Sequence, residues 1–435
     1  MSAFDWDACF DTELALVDEQ HHRLVDLINR FGDLLMQAQG ASVEEIEALF
    51  GELARYAETH FRDEESLMGR EGLALQYIAD HHREHKRFIH ELTRLHANPI
   101  AGKPEEAASK LLGFLTNWLA YHILGTDQVM ARQVSAIRAG ATAEQAYWQL
   151  VGSDISAAAD LLSGVHERSN GEDGWVSVEV SPELAHDTAA TIEAGRELAR
   201  NLGLPNMYVK VPATPAGIEA IRVLTSEGIP VNVTLIFSLD RYADVIEAYL
   251  SGLEAHQGGL SHISSVGSFF ISRVDTEVDR RLQEIGTNDA LDLMGTAAIT
   301  QGKLAYQLAM EAFSGPRWDA LTERGATMQR PLWASTSTKN PDYPDTYYVD
   351  SLIGPHTVNT LPEATLEAFD DHGTVVSTLD ANPEADRKRW EQLGELVDLD
   401  DVGATLESEG VASFAQSFRE VLTTLAERVD RSART

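Results

Sequence analysis

The chain has 435 residues, enough for two domains with substantial cores, and sets 34 Lys and Arg against 69 Asp and Glu for a formal net charge of -35. That balance excludes nucleic-acid or anionic-membrane binding by bulk attraction, and no run of 18 or more apolar residues offers a membrane-spanning helix. A single cysteine, Cys9, excludes an internal disulfide framework, and the start MSAFDWDACF has neither a basic region nor an apolar run, so a soluble cytoplasmic protein is expected.

Apolar residues recur at helical spacing over about 19–38, 42–68, 74–97 and 107–134, with breaks at Gly40, Gly72 and the turn from Asn98-Pro99 to Gly102. Short links between long helices favour antiparallel neighbours, so residues 1–148 are expected to form an all-α, up-down four-helix bundle. Phe31, Leu34, Leu35, Leu49, Leu53, Phe88, Leu92, Phe114 and Trp118 fall on the stripe that faces its core.

The same helices carry seven metal-type side chains: His21, His60, Glu64, His81, His85, His122 and Asp127. His60/Glu64 and His81/His85 are i, i+4 pairs and share a helix face. His122 and Asp127 are one residue further apart, so they converge only if the carboxylate leans inward or the helix bulges there. Five imidazoles with two carboxylates suit a first-row transition metal, here iron, rather than calcium or magnesium. If both carboxylates and one oxo or hydroxo group bridge two irons, three histidines make one iron six-coordinate. The remaining two leave the other iron an open position. His22, His82, His90 and His96 lie off the ligand positions and are expected to be packed or solvated.

DEQHHRL (18–24), HFRDEESLM (60–68), HHREHKRF (81–88) and HILGTD (122–127), after a Phe4/Trp6 lead-in, resemble bacterial hemerythrin over roughly residues 3–148. The resemblance implies a di-iron centre with His81, His85 and His122 on the saturated iron. It places His21 and His60 on the open iron, with Glu64 and Asp127 bridging. Dioxygen is then the ligand of the open position, and Ile123 and Leu124 help keep that pocket dry.

Helix-like sequence continues from 142 through 163 without a Pro/Gly/Ser linker, and the pattern then changes. Short apolar strands at 175–180, 206–211, 230–237, 263–271, 331–335 and 356–360 alternate with helices at about 183–203, 215–227, 239–254, 275–284, 289–314 and 363–372. That alternation predicts parallel β/α units and a TIM-type barrel over 149–435. In such a fold the polar residues at strand C-terminal ends are the catalytic candidates: Glu179, Lys210, Asn232 with Thr234, Ser268 and Ser335. A lysine late in an apolar strand is costly while charged, so its pKa should fall and its amine become a nucleophile toward carbonyls. The alternative is a lysine snorkelling from the strand end to a loop carboxylate.

VSVEVSP (176–182), HDT (186–188), NMYVKVPATPAGIEAI (206–221), VNVTLIFS (231–238), SFFISRVD (268–275), LWASTSTKNP (332–341) and YYVDSLIGPHTVNTLP (347–362) closely resemble transaldolase of the longer bacterial subtype, over about 152–430. The resemblance implies Lys210 as the Schiff-base lysine, with Glu179 and Thr234 holding a proton-relaying water. Asn232 and Ser268 would bind substrate hydroxyls; Arg273 and Ser335, with Lys339 as a further candidate, would bind phosphate. The implied reaction moves a dihydroxyacetone unit from a ketose phosphate, such as sedoheptulose 7-phosphate or fructose 6-phosphate, to an aldose phosphate in the pentose phosphate pathway. It needs no cofactor.

The family's barrel has eight strands and this chain offers six. The first two, with an acid/base aspartate and a Thr-Ser-Asn-Pro substrate segment, have no counterpart in residues 1–150. An incomplete barrel is therefore expected, with open edges that favour self-association. The sequence thus leads to a multi-domain protein that joins di-iron dioxygen binding to transaldolase-type transfer. The alternative is an oxygen-binding or sensing protein whose transaldolase-like half is inactive.

Overall fold

The computed structural model describes residues 4, 6, 10–35, 42–71, 73, 75–97, 104–138 and 142–432, and divides the chain into two compact units, Met1–Asp154 with Glu420–Thr435, and Ile155–Arg419. The first unit is built from helices α1 (Ala15–Leu35), α2 (Val43–Glu71), α3 (Leu75–Ala97) and α4 (Pro104–Tyr121), a π-helical turn His122–Asp127, and α5 (Gln128–Arg138). The helices fall where the apolar periodicity predicts, except that the expected 107–134 helix is interrupted. A π turn bonds i to i+5 and so rotates residues five apart onto one face, which resolves the spacing of His122 and Asp127 through a bulge. The tyrosine hydroxyl of Tyr77 donates to the Thr126 carbonyl at 2.5 Å within that turn.

Leu24, Ile28, Phe31, Ile46, Leu53, Phe88, Leu111 and Leu115 form the larger core of this unit, with Leu34, Phe114 and Trp118 packed against it. A smaller core gathers Leu14, Val17, Met68, Met130 and Val134. Each such aliphatic side chain taken out of water contributes roughly 1.5–3 kcal/mol. The breaks expected at Gly40, Gly72 and the 98–102 turn and the Leu35 side chain lie outside the described residues.

Helix α6 (Ala143–Arg168) runs without a break through the end of the first unit and leads to β1 (Val176–Glu179). Strands β2 (Met207–Pro212), β3 (Val231–Ile236), β4 (Ser265–Phe270), β5 (Arg330–Ala334) and β6 (Val358–Asn359) follow, all parallel and hydrogen-bonded in sequence order. Helices α7 (Thr188–Leu202), α8 (Pro215–Ser226) and α9 (Leu239–Ala255) make the first three crossovers. The sheet curls into a half-barrel with β1 and β6 at its edges, an incomplete TIM-type barrel. Strands β3 and β4 are buried on both faces, as parallel strands flanked by helices must be.

Several helices differ from the sequence expectation. The 183–203 segment opens with a 3-10 turn at Pro182–Leu184, and α7 starts only at Thr188 because the Asp187 side chain caps it, accepting from Ala190 N at 3.0 Å. The helix after β4, α10 (Ser272–Ile285), begins three residues early. The 289–314 span divides into α11 (Asn288–Leu291) and α12 (Ala297–Ala312) at Gly295, whose φ is +72°. Asp279 accepts the Gly295 N–H at 2.8 Å, and the Tyr343 ring occupies the space a Cβ there would need. Helices α13 (Gly315–Thr322), α14 (Tyr347–Ser351), α16 (Pro383–Leu396) and α17 (Leu399–Ser432) were not expected from the sequence, whereas α15 (Glu363–His372) was. No described helix is long and apolar enough to cross a membrane.

Candidate metal centre and candidate Schiff-base site

All seven metal-type residues converge. His21 comes from α1, His60 and Glu64 from α2, His81 and His85 from α3, and His122 and Asp127 from the two ends of the π turn; each is at most 3% exposed. Their donor atoms fall into two groups, Glu64/His81/His85/His122 and His21/His60/Glu64/Asp127, each within 4.8 Å. The carboxylates are shared oxygen by oxygen. Glu64 Oε2 lies 3.5 and 3.2 Å from the Nε2 atoms of His81 and His85, while Oε1 lies 3.5 Å from that of His60. Asp127 Oδ1 lies 3.4 and 3.2 Å from His81 and His122, and Oδ2 lies 3.0 Å from His21.

Ligands about 2.1 Å from one metal and set at right angles are about 3.0 Å apart, so these separations suit donors gathered around cations. All five Nε2 atoms and all four carboxylate oxygens are buried without a hydrogen-bond partner. Buried polar atoms left in that state are expensive, and bound metal would satisfy them together.

The electrostatics follow from this crowding. Burial disfavours the ionised carboxylates, yet the surrounding imidazoles hold Glu64 and Asp127 well below the usual carboxylate range. Burial pushes His60 down to about 4. His81 is also buried, but its contacts with Asp127 and Glu64 outweigh that and raise it to about 9.

Aromatic neighbours fix the rings. Phe61 stacks on His85 with centroids 3.9 Å apart, Trp118 on His122 at 4.1 Å, and Tyr56 on His60 at 5.3 Å. The Tyr56 hydroxyl is buried and has no hydrogen-bond partner. Ile123 is fully buried beside His122, while the Leu124 side chain lies outside the described residues. The four histidines set aside as non-ligands take other places. The His22 ring lies tilted against Trp6, with centroids 4.0 Å apart; His82 pairs with Glu65, His96 pairs with Glu47, and His90 is exposed. Sequence reasoning missed Gln20 and Glu65, whose side-chain oxygens lie 2.9 and 3.0 Å from the Nδ1 atoms of His60 and His85. Their only signal was adjacency to ligands in DEQHH and DEE.

In the half-barrel, the register sets Glu179, Lys210 and Asn232 side by side on β1, β2 and β3, so their side chains share one face. Lys210 Nζ lies 3.3 Å from Glu179 Oε2, and both side chains are 26% exposed, which leaves them reachable by a solute. Among the described residues Glu179 is the only carboxylate within 4.0 Å of that amine. Ser268 donates to Asn232 Oδ1 at 2.7 Å, and Asn232 donates in turn to Ser177 at 3.1 Å, a contact not expected from the sequence. Thr234, two residues beyond Asn232, is fully buried with its hydroxyl unpartnered.

Ser335 directly follows β5 with φ at +57°, a conformation uncommon for a residue with a Cβ. Its hydroxyl lies 3.0 Å from that of Ser272, the first residue of α10, and its carbonyl accepts Ser272 N–H at 3.0 Å. Arg273 follows, its guanidinium 5.4 Å from the Phe270 ring centre. Ser335 is thus bonded to the first residue of α10, and Arg273 is the second. Lys339 instead donates to Ser337 at 3.0 Å and lines a cavity of about 240 Å³ with Asp275, Asp279 and Tyr343.

Known families match both halves. The description "Transaldolase/Fructose-6-phosphate aldolase" matches residues 119–425, and "Hemerythrin HHE cation binding domain" matches residues 12–134. "Transaldolase 1" of Streptomyces coelicolor is 48% identical over 298 residues, which is 67% of this chain and 78% of that protein. "Transaldolase" of Frankia alni is 48% identical over 298 residues, 67% of this chain and 80% of that one. "Transaldolase" of Mycobacterium leprae is 49% identical over 287 residues, 65% of this chain and 76% of that one.

Proposed function

Because the chain belongs to the transaldolase/fructose-6-phosphate aldolase family and carries a hemerythrin HHE domain ahead of the half-barrel, we propose a two-part cytoplasmic protein. Residues 1–148 bind dioxygen at a di-iron centre, and residues 149–435 transfer a dihydroxyacetone unit between sugar phosphates. The observation that carries the first part is the oxygen-by-oxygen division of Glu64 and Asp127 between a three-histidine and a two-histidine group. His81, His85 and His122 hold one iron, His21 and His60 the other. Two irons held there would supply redox-active metal for reversible dioxygen binding. Around them the chain's own residues exclude water: Phe61, Trp118, Tyr56 and Ile123 close over the histidines. Iron content near two per chain, with a visible spectrum that changes reversibly between air and nitrogen, is the expected result. One iron or none after anaerobic loading with ferrous salt would refute it.

For the second part, the Lys210 amine adds to the carbonyl of a ketose phosphate and expels water to give a protonated Schiff base. That cation is the electron sink for cleavage of the bond between its α and β carbons; the β-hydroxyl gives its proton to water and an aldose phosphate departs. The three-carbon enamine left on Lys210 adds to an incoming aldose phosphate, and water then hydrolyses the new Schiff base to release the product ketose phosphate and the free amine. Glu179 and Thr234 hold the water that carries protons to and from the lysine nitrogen. Asn232 and Ser268 orient substrate hydroxyls, and Arg273 and Ser335 receive the phosphate, with Lys339 a further candidate for it. The open edges at β1 and β6 suit self-association.

Those same edges favour a second function, in which the di-iron domain binds or senses dioxygen and the half-barrel makes no turnover. A coupled assay of ketose-phosphate to aldose-phosphate transfer separates the two.

A further inference from the structure

The ligand histidines differ in what stands behind them. The His85 Nδ1 atom lies 3.0 Å from Glu65 Oε1, and the same oxygen lies 2.6 Å from Nδ1 of His82, a side chain 43% exposed. The His60 Nδ1 atom lies 2.9 Å from Gln20 Oε1, and Gln20 Nε2 donates to Asp63 Oδ2 at 2.9 Å. His21 and His81 have Nδ1 atoms that are buried without any hydrogen-bond partner.

These contacts determine where the ring protons are. An ionised carboxylate only accepts, so His85 must carry its proton on Nδ1 to meet Glu65. On the other side, the Asp63 carboxylate accepts from the Gln20 amide nitrogen, and that fixes which end of the amide faces His60. It is the oxygen, so His60 also carries its proton on Nδ1. Both rings then present an Nε2 lone pair to Glu64, at 3.2 Å from Oε2 for His85 and 3.5 Å from Oε1 for His60. Two lone pairs facing one carboxylate repel unless a cation lies between them. The proton placement set from outside thus leaves vacant acceptors that a metal would occupy.

The two supports are unequal in charge. A carboxylate stands behind His85, and a neutral amide stands behind His60. A carboxylate at the outer ring nitrogen makes an imidazole a stronger donor than an amide does.

We propose that Glu65 and Gln20 are positioning residues, each committing its histidine to metal through Nε2, and that the charge on Glu65 makes the His81/His85/His122 position the tighter of the two. This rests on the di-iron reading of the bundle. Asp63 acts one step further out, by fixing the Gln20 amide.

The test loads the full chain with ferrous iron under nitrogen and follows loss to a competing chelator, alongside thermal melting of the metal-free form. Wild type should release its irons in two resolved phases, the slower from the His85 side. Glu65→Ala should speed that slower phase 10–100-fold, the range typical when the outer partner of a ligand histidine is lost, and leave the other phase unchanged. Glu65→Asp should restore most of the lost affinity. Gln20→Ala should accelerate the faster phase instead. A merely structural role would lower the metal-free melting temperature and loosen both irons alike.

Wild-type release kinetics in Glu65→Ala, with the variant folded, would overturn the proposal alone. A wild-type chain that takes up no iron would overturn it together with the di-iron function.

Discussion

Asp275 offers a sharp test of the physical account of the half-barrel. It is 1% exposed, on the first turn of α10, and its carboxylate accepts from Ala298 N at 2.7 Å and from the Tyr348 hydroxyl at 2.9 Å. One turn on, Asp279 accepts from Gly295 N at 2.8 Å and from Tyr343 at 2.7 Å, while Arg280 and Lys339 line the same cavity. Burial, reinforced by the charge of Asp279 and opposed by the Ala298 N–H, raises Asp275 from 3.8 to about 7. Below pH 4 both the folded and unfolded chains hold this proton, and its contribution is fully present. Between pH 4 and 7 the unfolded chain releases it while the folded chain keeps it, so stability falls with rising pH. At 1.36 kcal/mol per pH unit the loss from this group totals about 4 kcal/mol by pH 7 and then levels off. Asp275→Asn imitates the protonated acid. Its oxygen can still accept from Ala298 N, and its amide can donate to Tyr348. Urea unfolding followed by near-UV circular dichroism should therefore show the variant gaining several kcal/mol on wild type between pH 4.5 and 8. A difference between the two proteins that stays constant across that range would refute the assignment.

Other perturbations have equally definite outcomes. Glu64→Ala should empty both metal positions together, because one carboxylate serves both; iron analysis finding one metal retained would contradict the sharing. Phe61→Ala removes the ring stacked on His85 and in contact with Phe88 and Trp118, and should cost about 3–5 kcal/mol in the bundle's denaturant stability. Gly217→Ala would place a Cβ 1.9 Å from the Pro212 carbonyl at the end of the strand that carries Lys210. It should destabilise the half-barrel by about 3 kcal/mol or more, and a wild-type unfolding midpoint would show that the backbone gives way there.

Much of this was legible in the sequence, for reasons visible in particular residues. The seven ligand-type residues sit on four helical segments whose apolar periodicity is strong, and fixed rise per residue turns i, i+4 spacing into shared direction. The His122/Asp127 pair left two outcomes open, and the π turn decided between them, a choice made by backbone hydrogen bonding that spacing alone does not encode. Strands β2, β3 and β4 were legible because apolar runs buried at nearly every position stand out between turn residues, whereas β1 alternates and β6 is two half-buried residues. The break at Gly295 was not, because residues 293–299 contain no proline and the interruption depends on Asp279 and Tyr343, which are 16 and 48 positions away. Likewise, Gln20 and Glu65 look like ordinary surface residues on their helices until the ring nitrogens of His60 and His85 are placed beside them. Lys339 carried the right charge for a phosphate ligand, but its position is set by a loop, where sequence spacing gives no direction.

The most direct test of the two-part account is borohydride trapping of the iron-loaded full chain with fructose 6-phosphate, followed by peptide mass spectrometry on Lys210. The account predicts a three-carbon adduct on Lys210, absent from Lys210→Arg, which would show that the half-barrel both condenses with the sugar and cleaves it. An intact hexose-phosphate adduct, or no adduct at all on a folded chain, would contradict transfer by this half-barrel and leave the chain a dioxygen-binding protein.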